Sequence, residues 1–173
     1  MMRTLVVALA LTSALTACGS SDKPTAKVAA GGSPSPSPTA SASCTPSGSG
    51  TKDLATKPVY TVPSAPPPTV TTVTDIVCGT GEAAADGSAV EVRYLGVDYK
   101  TGAEFDSTWK ESAAATYQFS VGSGVIPGFS KGVLGMQPGG RRLVVIPPAD
   151  GYGDRGPVPG GTLAFVIDLV KIG

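Results

Sequence analysis

The sequence predicts an α+β domain in which a curved antiparallel sheet wraps around one short helix, preceded by a disordered tether. Apolar and polar residues alternate through several stretches in the second half of the chain, as they do in strands with one buried face. One stretch that begins at a Pro changes to helical spacing. Residues 19–49 show neither period and are rich in Ser, Pro and Ala.

The composition excludes several classes of function. Lys+Arg and Asp+Glu number 13 each, so the 173-residue chain has no formal net charge, and it has no basic stripe that could hold a nucleic acid. The chain contains no His, the commonest general base and metal ligand. It has only three Cys, which disfavours a zinc site. We therefore expect no nucleic-acid partner, no metal and no cofactor.

The N-terminus is predicted to be a signal peptide over residues 1–17. Arg3 gives it a positive start, and residues 5–15 form an apolar core too short to span a bilayer. The sequence Leu15-Thr16-Ala17-Cys18 resembles the bacterial lipobox. That resemblance implies a lipid on Cys18 and anchorage at the extracytoplasmic face of the cell membrane. The alternative is an ordinary signal peptide with an incidental Cys.

A low-complexity segment follows the signal peptide. It includes Ser33-Pro34-Ser35-Pro36-Ser37-Pro38 and has too little apolar surface to offset the entropy of ordering. We therefore expect a lipid-anchored tether over residues 18–56 and a folded domain over residues 57–173. Within this domain, Pro66-Pro67-Pro68 rules out a central strand at that position.

The strands are predicted from composition and alternation. Residues 70–77 are rich in Val, Ile and Thr. Alternation places Val90, Val92 and Tyr94 on one face of the next strand. Further strands are predicted around 105–106, over 117–121, 143–146 and 162–172.

The helix is predicted over residues 127–136. Phe129, Val133 and Met136 are spaced i, i+4 and i+7, which puts them on one helical face. Pro127 suits the first position of a helix, and Pro138-Gly139 ends it. The single apolar stripe requires a sheet to cover it.

Two cysteines remain if Cys18 is lipidated. In an exported protein, Cys44 and Cys78 are expected to form a disulfide that pins the tether to the first strand. On the chain-entropy model this bridge would contribute roughly 3–4 kcal/mol. Two free thiols are the alternative.

Four motifs carry a family resemblance, from about Thr69 to the C-terminus. They are Phe105-Asp106-Ser107, Val125-Ile126-Pro127-Gly128-Phe129, Gly135-Met136-Gln137-Pro138-Gly139-Gly140-Arg141-Arg142 and Tyr152-Gly153-Asp154-Arg155-Gly156. In this order and spacing they resemble the FKBP-type peptidyl-prolyl cis-trans isomerases, in the form of a bacterial exported lipoprotein. The resemblance implies an FKBP-like fold and an apolar pocket for a prolyl residue.

The resemblance also implies roles for individual residues. Phe129 would floor the pocket, the Ile126 N–H and the Tyr152 hydroxyl would bind substrate carbonyls, and the Asp106 carboxylate would lie beside the reacting amide, held in part by Tyr94. The substrate-binding walls would be Tyr94, Phe105, Tyr117, Val125 and Phe165. Taken singly, such residues are more often plain core residues or, for Asp106, a turn residue or a cap; their order and spacing together carry the resemblance.

The chain departs from the family pattern at three places. Phe129 stands where the family usually has Trp, and no Arg occurs in residues 108–116, where the family often has one that pairs with the Asp. Lys110 could replace this Arg as a point charge. The loop over residues 154–161 is shorter than usual.

The resemblance implies a peptidyl-prolyl cis-trans isomerase that helps exported proteins to fold. Its partners would be proline-containing exported polypeptides, an FK506-type macrolide and, through the lipid, a membrane; we expect a monomer. A peptide-binding or chaperone module with weak or no catalysis is the alternative that the three departures favour. A surface lipoprotein whose domain is only a spacer is a third.

Overall fold

The computed structural model describes residues 44–173 of the chain. The predicted signal peptide, the lipidation site Cys18 and the Ser-Pro repeat of the tether lie outside the described residues. Within residues 44–173 the chain forms six strands and one α-helix. They are β1 (Thr72–Val77), β2 (Ala89–Asp98), β3 (Glu104–Ser107), β4 (Tyr117–Ser120), α1 (Pro127–Val133), β5 (Gly140–Ile146) and β6 (Leu163–Ile172).

The strands form one antiparallel sheet in the order β1-β5-β6-β2-β3, with β4 also paired to β2. Strand β2 has an irregular register at Glu91–Val92 opposite β6 and at Gly96–Val97 opposite β3. Such bulges bend a strand and increase its twist. The sheet therefore curves around α1, and the predicted fold class is confirmed.

The helix lies close to the sheet because two of its residues lack side chains. A Cβ on Gly132 would lie 2.6 Å from Val144 Cγ2, and one on Gly128 would clash with Ile146. Val144 and Ile146 are fully buried on β5. The helix therefore presses Phe129 and Val133 into the main core, where both are buried.

The helix ends three residues earlier than the apolar spacing predicts. Leu134 has extended backbone angles and Gly135 has a φ of +77°, so the last regular residue is Val133. The Arg142 side chain donates hydrogen bonds to the Gly132 and Leu134 carbonyls at 2.9 and 3.0 Å. Met136 lies beyond the end of the helix, but its side chain is still buried in the main core.

Strand β5 begins three residues before the predicted start at Leu143. The alternation of apolar and polar residues does not reveal this start, because the strand opens with two consecutive Arg residues. Both Arg side chains are nevertheless buried. Arg141 is fully buried and forms a two-pronged ion pair with Asp168, whose oxygens lie 2.5 and 2.7 Å from its Nε and Nη2. Arg142 pairs with Asp75 at 2.6 Å. Paired charges replace apolar side chains along this strand.

A segment that precedes β1, here named the strap (residues 44–66), contacts the face of the sheet opposite α1. Side chains of adjacent strand residues point to opposite faces of a sheet, so the Leu95 side chain points away from the main core that Tyr94 contacts. On Leu95's side a second cluster is buried, and the strap residue Tyr60 packs against it. Tyr60 donates a hydrogen bond to the Tyr99 carbonyl at 3.0 Å, and the Tyr99 hydroxyl donates to Ala65 at 3.3 Å.

The strap is held by backbone contacts and by a disulfide. Its Ser47 and Gly48 N–H groups both donate to the Asp75 carbonyl at 2.9 Å. The structure joins Cys44 to Cys78, the pair expected from the sequence. The remaining Arg141 N–H groups donate to strap carbonyls; these belong to Thr51, Asp53 and Thr56, at 2.7, 3.1 and 3.1 Å. These contacts begin well before residue 57, where we expected the domain to start.

Across residues 44–173, helices are too short or too polar to cross a lipid bilayer.

Candidate active site

An open pocket of about 730 Å³ lies between the curved sheet and the start of α1. Aromatic rings and aliphatic side chains form most of its surface, and Asp106 supplies the carboxylate. The lining residues are Tyr94, Asp106, Tyr117, Gly124, Val125, Ile126, Pro127, Phe129, Tyr152 and Phe165. The pocket therefore offers a small apolar group a largely dry wall with one charge at its edge.

Phe129 forms the floor of the pocket and is fixed by three neighbouring rings. Its ring centroid lies 5.1 Å from that of Phe165, 5.5 Å from Phe119 and 5.7 Å from Tyr94, and all three contacts are edge-to-face. Such pairs contribute about 0.5–1.5 kcal/mol each beyond the area that they bury. Only 4% of Phe129 is exposed, so the floor is rigid.

The structure brings together eight of the nine residues that the sequence assigned to the site. Phe105 is the exception: its half-buried ring packs edge-to-face on Phe165, at a centroid distance of 5.5 Å, and is not among the residues that line the pocket. Gly96 leaves room for it: a Cβ there would lie 2.8 Å from Phe165 and 2.9 Å from Phe105. Phe105 therefore supports a wall residue of the pocket, and its own contact with a substrate stays a prediction.

Asp106 is held at the rim by two hydrogen bonds and one longer ion pair. The Tyr94 hydroxyl donates to Asp106 Oδ2 at 2.6 Å, and the Ser107 N–H donates to Oδ1 at 2.9 Å. Lys110 Nζ lies 3.7 Å from Oδ1 and also donates to the Phe105 carbonyl at 3.1 Å. Lys110 thus occupies the position of a partner cation for Asp106, as its sequence position suggested.

Two phenol groups of the pocket remain neutral over the physiological range. Burial raises the pKa of Tyr94, and its hydrogen bond to the Asp106 carboxylate raises this pKa further. Burial also raises the pKa of Tyr152, with a further contribution from the negative charge of Asp106. Both hydroxyl groups therefore keep a proton to donate.

The start of α1 presents Ile126 to the pocket. Ile126 is the N-cap residue, with φ −61° and ψ 147°, and its carbonyl accepts hydrogen bonds from the Phe129 and Ser130 N–H groups. The N–H of an N-cap residue lies outside the helical hydrogen-bond ladder. Pro127 follows as the first helical residue and has no N–H of its own. The Ile126 N–H is therefore not needed by the helix and belongs to a residue that lines the pocket.

The sequence analysis missed three residues that shape the site. Gly124 and Pro127 line the pocket directly, and Phe119 supports it by stacking on Tyr117 at 6.0 Å. Gly124 has a φ of +80°, so the turn before Val125 needs a residue without a side chain. The sequence analysis gave Pro127 no contact with a substrate, and Tyr117 and Phe119 lie two positions apart on β4, so their side chains share one face of the sheet.

This arrangement can bind an apolar group and can polarise a carbonyl through its hydrogen-bond donors. Within residues 44–173 no group of His, Cys, Asp or Glu side chains is arranged to hold a metal ion. The pocket offers the Phe129 ring as an apolar surface, and Ile126 and Tyr152 bring one N–H and one hydroxyl to its lining. Such a site can favour one shape of a peptide over another without a nucleophile.

Known proteins are similar to this chain in sequence and in fold. The family described as FKBP-type peptidyl-prolyl cis-trans isomerase matches residues 80–170. A probable FK506-binding protein of Corynebacterium glutamicum is 44% identical over 118 residues, which cover 66% of this chain and 98% of that protein. An FK506-binding protein of Streptomyces anulatus is 42% identical over 121 residues, covering 67% and 97%. The crystal structure of AtFKBP13 superposes with a TM-score of 0.53 at 30% identity and covers 60% of this chain and 93% of that one.

Proposed function

Because the chain belongs to the FKBP-type peptidyl-prolyl cis-trans isomerase family, we propose that its aromatic pocket is where an X-Pro peptide bond rotates. Proteins of this family bind proline-containing peptides and FK506-type ligands. The observation that carries the assignment of the site is the rigid Phe129 floor, ringed by three aromatic edges, with Asp106 at the rim.

The barrier to be lowered comes from amide resonance and is about 18–20 kcal/mol. Rotation removes the resonance, so the twisted amide is less polar than the planar one. A catalyst must bind the twisted form better, and each 1.4 kcal/mol or so of preference gives about tenfold in rate. A dry aromatic surface provides such a preference, because it solvates a weakly polar group better than a strongly polar one. Proton transfer is not required.

The site residues divide this work among them. The prolyl ring packs on Phe129 between Tyr94 and Phe165, and Val125 and Tyr117 close the sides. The Ile126 N–H binds one substrate carbonyl and the Tyr152 hydroxyl binds another, which fixes the peptide on both sides of the rotating bond. The Asp106 carboxylate, held by Tyr94, lies beside the amide and disfavours the planar form, in which charge is most separated.

The isomerisation of a short X-Pro peptide tests this assignment. We expect the wild-type protein to accelerate cis-trans relaxation and Asp106→Ala to reduce kcat/KM about tenfold or more. Glu111→Ala is the matched control, because Glu111 is an exposed carboxylate outside the pocket. Equal activity in both variants would contradict the role of Asp106. Peptide binding without acceleration would instead indicate a binding module.

The substrates and location are inferred from the sequence. The predicted signal peptide and the lipobox-like Leu15-Thr16-Ala17-Cys18 support an enzyme anchored by lipid at the extracytoplasmic face of the membrane. Uncatalysed prolyl isomerisation takes about 10–100 s and can limit folding. Exported polypeptides that contain proline are then the substrates within reach of the tether.

Processing in a bacterial host tests the anchor. Globomycin blocks the peptidase that cleaves before a lipidated Cys, so a larger precursor should accumulate in treated cells. Cys18→Ala should block the same cleavage, so that the larger precursor accumulates without globomycin. A protein that is processed and membrane-bound despite Cys18→Ala would refute lipid anchorage. The FK506-type ligand is tested by titration, with quenching of the single Trp as the signal.

A further inference from the structure

We name the pocket floored by Phe129 the prolyl pocket. A second depression lies beside it, and we name this depression the second groove. It has a volume of about 290 Å³, enough for one large apolar side chain, and it is open to solvent. It runs between the turn that precedes Val125 and the outer side of α1. Its lining residues are Asp86, Val121, Gly122, Val125, Pro127, Ser130, Lys131 and Leu134.

The second groove and the prolyl pocket share a wall. Val125 and Pro127 line both, so the short Val125-Ile126-Pro127 segment forms a ridge between them. Ile126, in the middle of this ridge, carries the N–H that binds a substrate carbonyl in the proposed function. A polypeptide held at that N–H lies against the ridge, and the second groove is the adjoining depression on the other side of it.

The surface of the second groove is apolar and firmly held. Leu134 leaves 49% of its surface exposed at the end of α1, although its carbonyl is fixed by Arg142 at 3.0 Å. On the opposite wall, the Gly122 N–H donates to Ser130 Oγ at 3.1 Å, which ties the turn to the helix. The exposed Leu134 side chain thus has a fixed position and gains from being covered.

The charges at the edge of the second groove disfavour an acidic occupant. Lys131 is already engaged with Asp150 at 2.8 Å, and Asp86 lies at the other end. The ammonium of Lys131 is thus neutralised by Asp150, and the Asp86 carboxylate leaves the rim with a net negative charge. The aliphatic side chains of Val121, Val125 and Leu134 favour an apolar occupant.

We propose that the second groove is a specificity subsite that binds an apolar side chain a few residues away from the proline of a bound polypeptide. The inference rests on the proposed function, because the polypeptide is positioned by the prolyl pocket. It adds a selection rule: among proline-containing substrates, those with a large aliphatic or aromatic residue at the right distance are preferred. Unfolded chains offer such residues, whereas folded proteins bury them.

The test compares two kinds of peptide. The first is a short X-Pro peptide that fills the prolyl pocket alone. The second is a set of peptides of about ten residues in which a single Leu is moved roughly two to five positions from the proline, on either side, against a Ser and Gly background. We expect one position to raise kcat/KM by about five- to tenfold over the Leu-free peptide, because partial burial of Leu stabilises binding by about 1 kcal/mol or more.

Substitution at the groove identifies where the preference arises. Leu134→Glu should remove most of the gain from the best Leu position, so that the ratio of long-peptide to short-peptide kcat/KM approaches that of the Leu-free peptide. Val59→Glu is the control, because Val59 is an exposed apolar residue of the strap and lies outside both pockets. It should leave the ratio unchanged.

The outcomes separate the two proposals. A protein that isomerises the short peptide but shows no dependence on the Leu position refutes the subsite and leaves the proposed function intact. A Leu preference that survives Leu134→Glu also refutes it. Failure to isomerise any peptide refutes the proposed function first. A concentration-dependent dimer that Leu134→Glu abolishes would assign the groove to a second copy instead.

Discussion

The Tyr94 hydroxyl donates a 2.6 Å hydrogen bond to Asp106 Oδ2 at the rim of the pocket. Tyr94 is also an edge-to-face neighbour of the floor residue Phe129, at 5.7 Å. One side chain therefore connects the polar rim of the site to its apolar floor.

Tyr94→Phe keeps the ring and removes the bond to Asp106. We expect kcat/KM for a short X-Pro peptide to fall about three- to tenfold, because a hydrogen bond to a carboxylate at a partly exposed site contributes about 1 kcal/mol. The cis-trans relaxation rate measures the change, and thermal unfolding serves as the control for stability. A rate equal to that of the wild type would show that Asp106 needs no partner at Oδ2.

Lys110→Met should have a small effect. Lys110 Nζ and Asp106 Oδ1 are 3.7 Å apart, and both side chains are about half exposed, so the pair contributes about 0–1 kcal/mol. We expect a change in kcat/KM of less than about threefold, which shrinks further at high salt. Lys110→Arg should retain wild-type activity. A large loss that persists in salt would mean that Lys110 contacts the substrate itself.

Stability should decrease at alkaline pH through Tyr60. Burial raises the pKa of Tyr60 to about 12, from an ordinary value near 10. A raised pKa in the folded state contributes stability that is complete below the unfolded pKa and is lost as the pH rises through the folded one. Urea unfolding should therefore show a decline between about pH 10 and pH 12. Tyr60→Phe should make this decline shallower, and the remaining slope should come from Tyr94 and Tyr152, whose pKa values burial also raises. An unchanged pH profile would exclude Tyr60 as a source of the decline.

Arg141→Met leaves the Asp168 carboxylate buried without its cation. We expect a loss of about 3–5 kcal/mol in the free energy of unfolding, because both side chains are almost completely buried. Urea unfolding followed by fluorescence of Trp109 measures it. Lys57→Met is the matched control: it breaks the exposed Lys57–Glu104 pair and should cost less than about 1 kcal/mol. Similar losses in both variants would contradict the importance of burial.

Cys44→Ser should destabilise the domain without reducing its activity per folded molecule. The bridge to Cys78 closes a loop with a sequence separation of 34, which on the chain-entropy model contributes roughly 3–4 kcal/mol. Urea unfolding with and without reductant measures the difference, and the two conditions should coincide for the variant. A wild-type protein that is equally stable with and without reductant would contradict this contribution.

Local periodicity explains how much of the fold could be predicted. Val90, Val92 and Tyr94 were assigned to one face of a strand, and the structure places all three at the main core. The helix was placed at Pro127 because Phe129 and Val133 share a face. Its end was wrong by three residues, since the Arg142 guanidinium and the turn at Gly135 terminate it, and neither effect is visible in an apolar spacing.

The sequence by itself determined the fold class, the family and most of the prolyl pocket. Alternation, the helical stripe and four short motifs are local signals in the sequence. They identified nine site residues, and eight of these line one cavity in the structure. Tertiary structure alone decided the position of Phe105, the burial of Arg141, the course of the strap and the second groove. Each of these depends on contacts between distant residues: Arg141 reaches carbonyls 85–90 positions earlier in the chain, and Phe105 fits only because Gly96 lacks a side chain. A periodic pattern records which face of an element is apolar, but not which distant group comes to lie against it.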